Sequence, residues 1–156
     1  MKFSSKEDVE APIEHVFDML ADFDSHQRQA FRRGIQVQRT DTRAEPGVGC
    51  SWHAVFDLRG KTRDIDVVVA AFDRPESIHF ASDSQGLIGE MTMELKERSP
   101  TRTRMAISVE LKPKTLSARL LVQSMKLGKK TLNKRFKLRV AEYAKTLEER
   151  HQAKTA

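Results

Sequence analysis

The 156-residue chain has one cysteine, one tryptophan and one tyrosine, and it has no long apolar run. Each scarcity excludes something. A single thiol, Cys50, forms no internal disulfide and no cysteine-based zinc cluster. No stretch approaches the roughly 18 consecutive apolar residues of a spanning helix. The opening "MKFSSKEDVEA" alternates charge with apolar residues and has no apolar signal core, so a cytoplasmic protein is expected. No HExxH, GxSxG or glycine-rich phosphate cradle occurs, and "PGVG" at 46–49 precedes a strand pattern rather than a helix. The five histidines show no metal-ligand spacing, so no metal and no cofactor are expected.

The most informative scarcity is local. Between Leu111 and Ala141 there is no aspartate or glutamate, while ten of the chain's 28 lysines and arginines fall there. The rest of the chain holds 18 basic residues against 22 acidic ones. A mildly acidic body therefore carries a strongly basic C-terminal segment.

What is present reads as alternation followed by helix. Residues 3–9 alternate as a first strand. Pro12 is placed to open a helix whose apolar face is Ile13, Val16, Phe17 and Leu20. A second short helix is expected within 22–31, ending near Gly34. From Ile35 the period changes to two. Strands are expected at Ile35–Val37, through Trp52, Ala54 and Phe56, through Ile65, Val67 and Val69, at Ile78–Phe80, through Met91 and Met93, and from Met105 to Leu111. Turn sequences at 44–49, 59–61, 73–76, 82–86 and 98–100 separate them. Such short connections imply antiparallel pairing. Pro113 then stops the sheet and Thr115 caps a long helix. Its apolar stripe is Leu121, Met125, Leu132, Phe136, Val140, Tyr143 and Leu147, and Gly128 lies on it as a close-approach site or a bend. The reading is one α+β domain over 1–150 with a polar tail at 151–156.

Three segments carry a resemblance. "VEAPIEHVFDMLADFDSH" at 9–26, "PGVGCSWHA" at 46–54 with "VVVAAFDRPESIHFAS" at 67–82, and the helix from Leu116 to Glu149 are similar to segments of the SRPBCC superfamily. These are the START-like or Bet v 1-like proteins, and the polyketide cyclase/dehydrase-like branch is the nearest in pattern. The resemblance implies a helix-grip fold, in which a curved seven-stranded antiparallel sheet wraps a long C-terminal helix, with two short helices after the first strand. It also implies a cavity for an apolar molecule such as a lipid, quinone or polyketide. "SHQRQAFRRG" at 25–34 departs from many relatives, which carry Trp or Pro near the cavity mouth.

The inward alternation and the helix stripe then name candidate cavity residues: Trp52, Phe56, Met91, Met93, Met105, Ile107, Met125 and Phe136. Methionine suits irregular apolar ligands, although the same positions also suit ordinary core packing. No catalytic residue is assigned. Cys50 has no evident basic partner on its face, and Glu7 is the only inward carboxylate of the first strand. A cyclase or dehydratase remains an alternative to a binding protein. Lys126, Lys130, Lys134 and Lys137 form a basic surface opposite the stripe. Leu116, Leu120, Leu127 and Leu138 are interleaved with it, which suits an anionic membrane or a partner protein. Nucleic acid is disfavoured, because the basic face has no stacking aromatics. The sequence carries no signal for oligomeric state.

Overall fold

A computed structural model describes residues 1–155. The elements run β1 (Lys2–Val9), α1 (Ile13–Leu20), α2 (Phe23–Arg32), β2 (Gln36–Arg39), β3 (Ser51–Leu58), β4 (Lys61–Asp73), β5 (Ser77–Ser84), β6 (Leu87–Ser99), β7 (Arg102–Pro113), α3 (Leu116–Leu127) and α4 (Lys129–Thr155). One antiparallel sheet has the order β1-β7-β6-β5-β4-β3-β2, so β2 to β7 form a meander and β1 adds beside β7. This is the seven-stranded antiparallel α+β order that the alternation predicts, in the helix-grip arrangement that the resemblance implies.

Local chemistry accounts for the joints. At the β3–β4 turn Arg59 and Gly60 both have positive φ, and at the β5–β6 turn Gln85 and Gly86 do. Two successive left-handed residues form the hairpin turn whose twist matches the flanking strands. Gly86 is also required by contact, since a Cβ there would collide with the Thr115 side chain. Thr115 accepts from the Ala118 amide at 3.2 Å and so caps α3 at that hairpin. Register shifts at Val69/Ala71 and Glu97/Ser99 mark bulges, which bend the long strands.

β5 to β7 extend further than their apolar alternation indicates, because ladder hydrogen bonds continue through polar residues such as Ser82 and Ser84. The expected single helix is two. Gly128 caps α3 and the helix resumes at Lys129. A Cβ at Gly128 would meet nothing closer than a backbone oxygen at 4.0 Å, so this glycine marks the break and not a close sheet contact. The polar segment after residue 150 continues α4 as helix to Thr155.

The core lies between α1, the concave face of the sheet and the later part of α4. Phe17, Leu20, Ile78, Met105 and Leu147 are fully buried. α4 packs along β1, with Phe3 and Phe136 ring centroids 5.9 Å apart. That placement leaves the β3–β4 side of the concave face without a helix directly on it. No helix among the described residues is long and apolar enough to cross a membrane.

Candidate functional site

The uncovered side holds a cavity of about 790 Å³. β3 contributes Trp52, Ala54 and Phe56, and β4 contributes Ile65 and Val67. Phe80, Met91 and Met93 continue the apolar wall across β5 and β6. The inner end is aromatic: Phe23 meets Trp52 edge-on at 5.1 Å and Phe80 at 5.9 Å between centroids. These T-shaped contacts fix ring orientation as well as burying area. Gln27, Gln29 and Ala30 of α2, with Arg33 at its C-cap, form one rim, and Arg139, Glu142 and Thr146 of α4 form the other. The rim on α2 falls in the segment where the sequence departs from the resembled pattern.

Four of the eight expected cavity residues, Trp52, Phe56, Met91 and Met93, line this space. The other four do not. Met105 is fully buried in the core. Ile107 is buried and borders a separate, polar hollow of about 630 Å³ near β1, together with Glu7, Lys6 and Lys137. Phe136 packs on Phe3, and Met125 is half-buried on α3. The physical reason is the helix footprint. α4 packs on β1 while α1 and α3 reach β7, so the inward residues there join the core with Val140, Ala144 and Leu147. Alternation shows which face a side chain takes, but not which strands the helix covers.

A polar pair on the cavity wall escapes a strand-by-strand reading. His26 Nε2 and Tyr143 Oη lie 2.7 Å apart, joining α2 to α4. Burial holds the His26 pKa below the ordinary imidazole value, against the pull of nearby Asp22. Burial pushes the Tyr143 hydroxyl above the ordinary phenol range. Both groups are therefore neutral at neutral pH, and they share one hydrogen bond beside a largely apolar wall. Arg150 supports them by donating to Asp22 at 3.0 Å, while the other oxygen of Asp22 caps α2 by accepting from the Ser25 amide. Tyr143 is the chain's only tyrosine, and it lies on the buried stripe. Its hydroxyl needed a partner, which was the one sequence signal for this pair.

The surroundings of Cys50 differ from expectation. Cys50 is fully buried, and it has a basic neighbour, with Arg39 Nη2 3.3 Å from its sulfur. That contact crosses the β2–β3 pair. Arg39 also clamps Asp41, whose carboxylate accepts from the Ser51 and Arg43 amides. These bonds hold the Asp41 pKa far below the carboxylate range and close the 40–50 loop. His15 and His151 meet at 3.3 Å between Nδ1 atoms and link α1 to the end of α4. Among the described residues no three His, Cys, Asp or Glu side chains converge as a metal site would require. His53 lies on the convex face beside Asp66 at 2.7 Å, which raises its pKa, and His79 is exposed.

No family model and no curated protein sequence matches the chain. Solved structures do. The protein TTHA0849 from Thermus thermophilus aligns over 100% of both chains with TM-score 0.68 and 17% identity. A START superfamily protein from Mycobacterium smegmatis aligns over 86% of this chain and 95% of its own, with TM-score 0.56 and 13% identity. The Zhui aromatase/cyclase from Streptomyces sp. R1128 aligns over 74% and 69%, with TM-score 0.58 and 12% identity. The chain has the START-like, Bet v 1-like helix-grip fold. At these identities the likeness is one of fold.

Proposed function

We propose that this protein binds and carries a small apolar molecule of lipid, quinone or polyketide-like character, in the cytoplasm, within the β3–β6 cavity. The observation carrying this reading is a chamber of about 790 Å³ walled by Trp52, Phe56, Ile65, Met91 and Met93. That volume is within the range of small-molecule sites, and a largely apolar wall with few polar groups is their usual chemistry. Affinity comes from apolar area removed from water, at about 25 cal/mol per Å² before association costs. The His26–Tyr143 pair gives the ligand one fixed point for an oxygen function, because a hydroxyl or carbonyl can bond to it without bringing charge inside.

The test is thermal unfolding with a panel of long-chain fatty acids, quinones and aromatic polyketides. A ligand at about one hundred times its Kd adds about 2.7 kcal/mol to stability. Ala54→Trp, which fills the chamber, abolishes that shift while the protein stays folded. A panel with no stabilising member, together with no small molecule retained in native mass spectra of protein from its own host, sinks the proposal.

A second reading, a cyclase or dehydratase acting on a polyketide-like chain, is favoured by the same pair. A neutral imidazole beside a phenol can take a proton from carbon while the phenol stabilises a carbonyl oxygen. The Zhui neighbour is an aromatase/cyclase. Turnover of a bis-β-diketone to its cyclised, dehydrated product, lost in both Tyr143→Phe and His26→Asn, supports this reading. Binding without turnover leaves the carrier.

A further inference from the structure

We propose that α3 is a membrane-docking helix, and that its partner is an anionic lipid bilayer. Leu116, Leu120 and Leu127 are 74%, 58% and 92% exposed. At 100° per residue they lie within about 40° of one another. The only buried residues of the helix, Ala118 and Val122, lie on the opposite side. α3 therefore rests on the protein by Ala118 and Val122, with Leu121 and Met125 half-buried beside them, and turns Leu116, Leu120 and Leu127 outward.

The helix is held in that attitude at both ends. Thr115 donates to the Gln85 carbonyl of the β5–β6 turn at 3.3 Å, and the Lys114 amide donates to the Gly86 carbonyl at 2.7 Å. Near the other end Arg59, at the tip of the β3–β4 hairpin, donates to Ser124 Oγ at 2.8 Å. The leucines are thus displayed by a fixed scaffold.

Charge identifies the occupant. Lys114, Arg119, Lys126, Lys129 and Lys130 flank the leucines, all exposed. Among the described residues none has a carboxylate within 4.0 Å. A nucleic acid would use the cations and leave the leucines in water. A second copy would bring a face of the same sign. An anionic bilayer satisfies both features, since leucines enter the headgroup–acyl boundary while lysines meet lipid phosphates and carboxylates.

The test is co-sedimentation of the full chain with vesicles of phosphatidylcholine alone and with about one third phosphatidylserine, across a salt series. The wild type is expected to pellet with the mixed vesicles and to release at high salt. Replacing Leu116, Leu120 and Leu127 together by Gln is expected to weaken binding about tenfold or more. Lys126→Glu with Lys130→Glu is expected to weaken it similarly and to flatten the salt dependence. Unchanged thermal unfolding of both variants excludes misfolding, since none of these side chains is in the core. Their retained response to a cavity ligand separates this proposal from the carrier reading. Failure of the wild type to bind mixed vesicles overturns the proposal, as does undiminished binding by the leucine variant. Pelleting with polyuridine RNA but not vesicles, or a wild-type dimer lost in the leucine variant, overturns it in favour of those partners.

Discussion

The two ends of the C-terminal helical segment use the same residue type in opposite ways. In the later half of α4, Leu147 is fully buried beside Val140 and Ala144. That half is tied down by Tyr143 to His26, by Arg150 to Asp22, by Glu148 accepting from the Glu10 amide, and by His151 to His15. In α3, Leu127 is almost wholly in water. α3 is seated by Ala118 and Val122 and by hairpin contacts at its ends, and Leu116, Leu120 and Leu127 take no part in that seating. Leucine content alone therefore says little about what a helix does. The polar partners decide which end is structure and which is surface.

The sharpest way to break this contrast is one truncation at each end. Leu147→Ala removes a fully buried side chain and leaves a cavity, which costs about 2–5 kcal/mol. Leu127→Ala removes atoms already in water and should lie within about 0.5 kcal/mol of wild type. Urea unfolding measures both. Equal effects at the two positions would mean that α3 buries its leucines in solution.

The cavity pair sharpens the contrast at an intermediate scale. Tyr143→Phe deletes one partner of the His26 bond and should cost about 1 kcal/mol. His26 adds a pH dependence. Burial lowers its folded pKa, so between that value and the unfolded value of about 6.5 the unfolded chain binds a proton that the folded chain does not. Its contribution is therefore present above the unfolded pKa and is lost as pH falls through the folded one. His53 works the other way, because Asp66 raises its pKa and acid strengthens that contact. Unfolding of wild type and His26→Asn from neutral pH to mildly acidic pH isolates the first term. The wild type should lose stability faster on acidification than the variant. Parallel curves would place His26 in solvent.

How legible these regions were follows from how local their causes are. The Thr115 cap, the turn at Gly86 and the α1 face of Val16, Phe17 and Leu20 depend on residues within four positions, and the sequence displays them directly. Trp52, Phe56, Met91 and Met93 face inward by period two, so they too were visible. Met105 and Ile107 share that period, but their surroundings are set by how the helices pack on the sheet, which no local pattern encodes. His26 and Tyr143 are 117 residues apart, and Arg39 meets Cys50 only through the β2–β3 register. The exposed leucines of α3 were legible for the converse reason. They stand off the buried stripe, and helical periodicity places them without knowledge of the rest of the fold.

Gly128 separates the two ends, and its replacement is the mildest test. Its φ of −108° is open to any residue, and an added Cβ finds 4.0 Å of clearance. Nothing steric opposes alanine there. Glycine at this point gives the unfolded chain extra freedom and weakens helix continuity, so Gly128→Ala should stabilise the protein by about 0.4–1 kcal/mol. The same change should join α3 more stiffly to α4. If the break only lets α3 follow the hairpins, stability rises and vesicle binding is unchanged. If the break is what tilts the leucines outward, stability rises less and vesicle binding falls, because a continuous helix would turn residues 116–127 off their present axis. Destabilisation by alanine would contradict both, and would mean that Gly128 is closely packed.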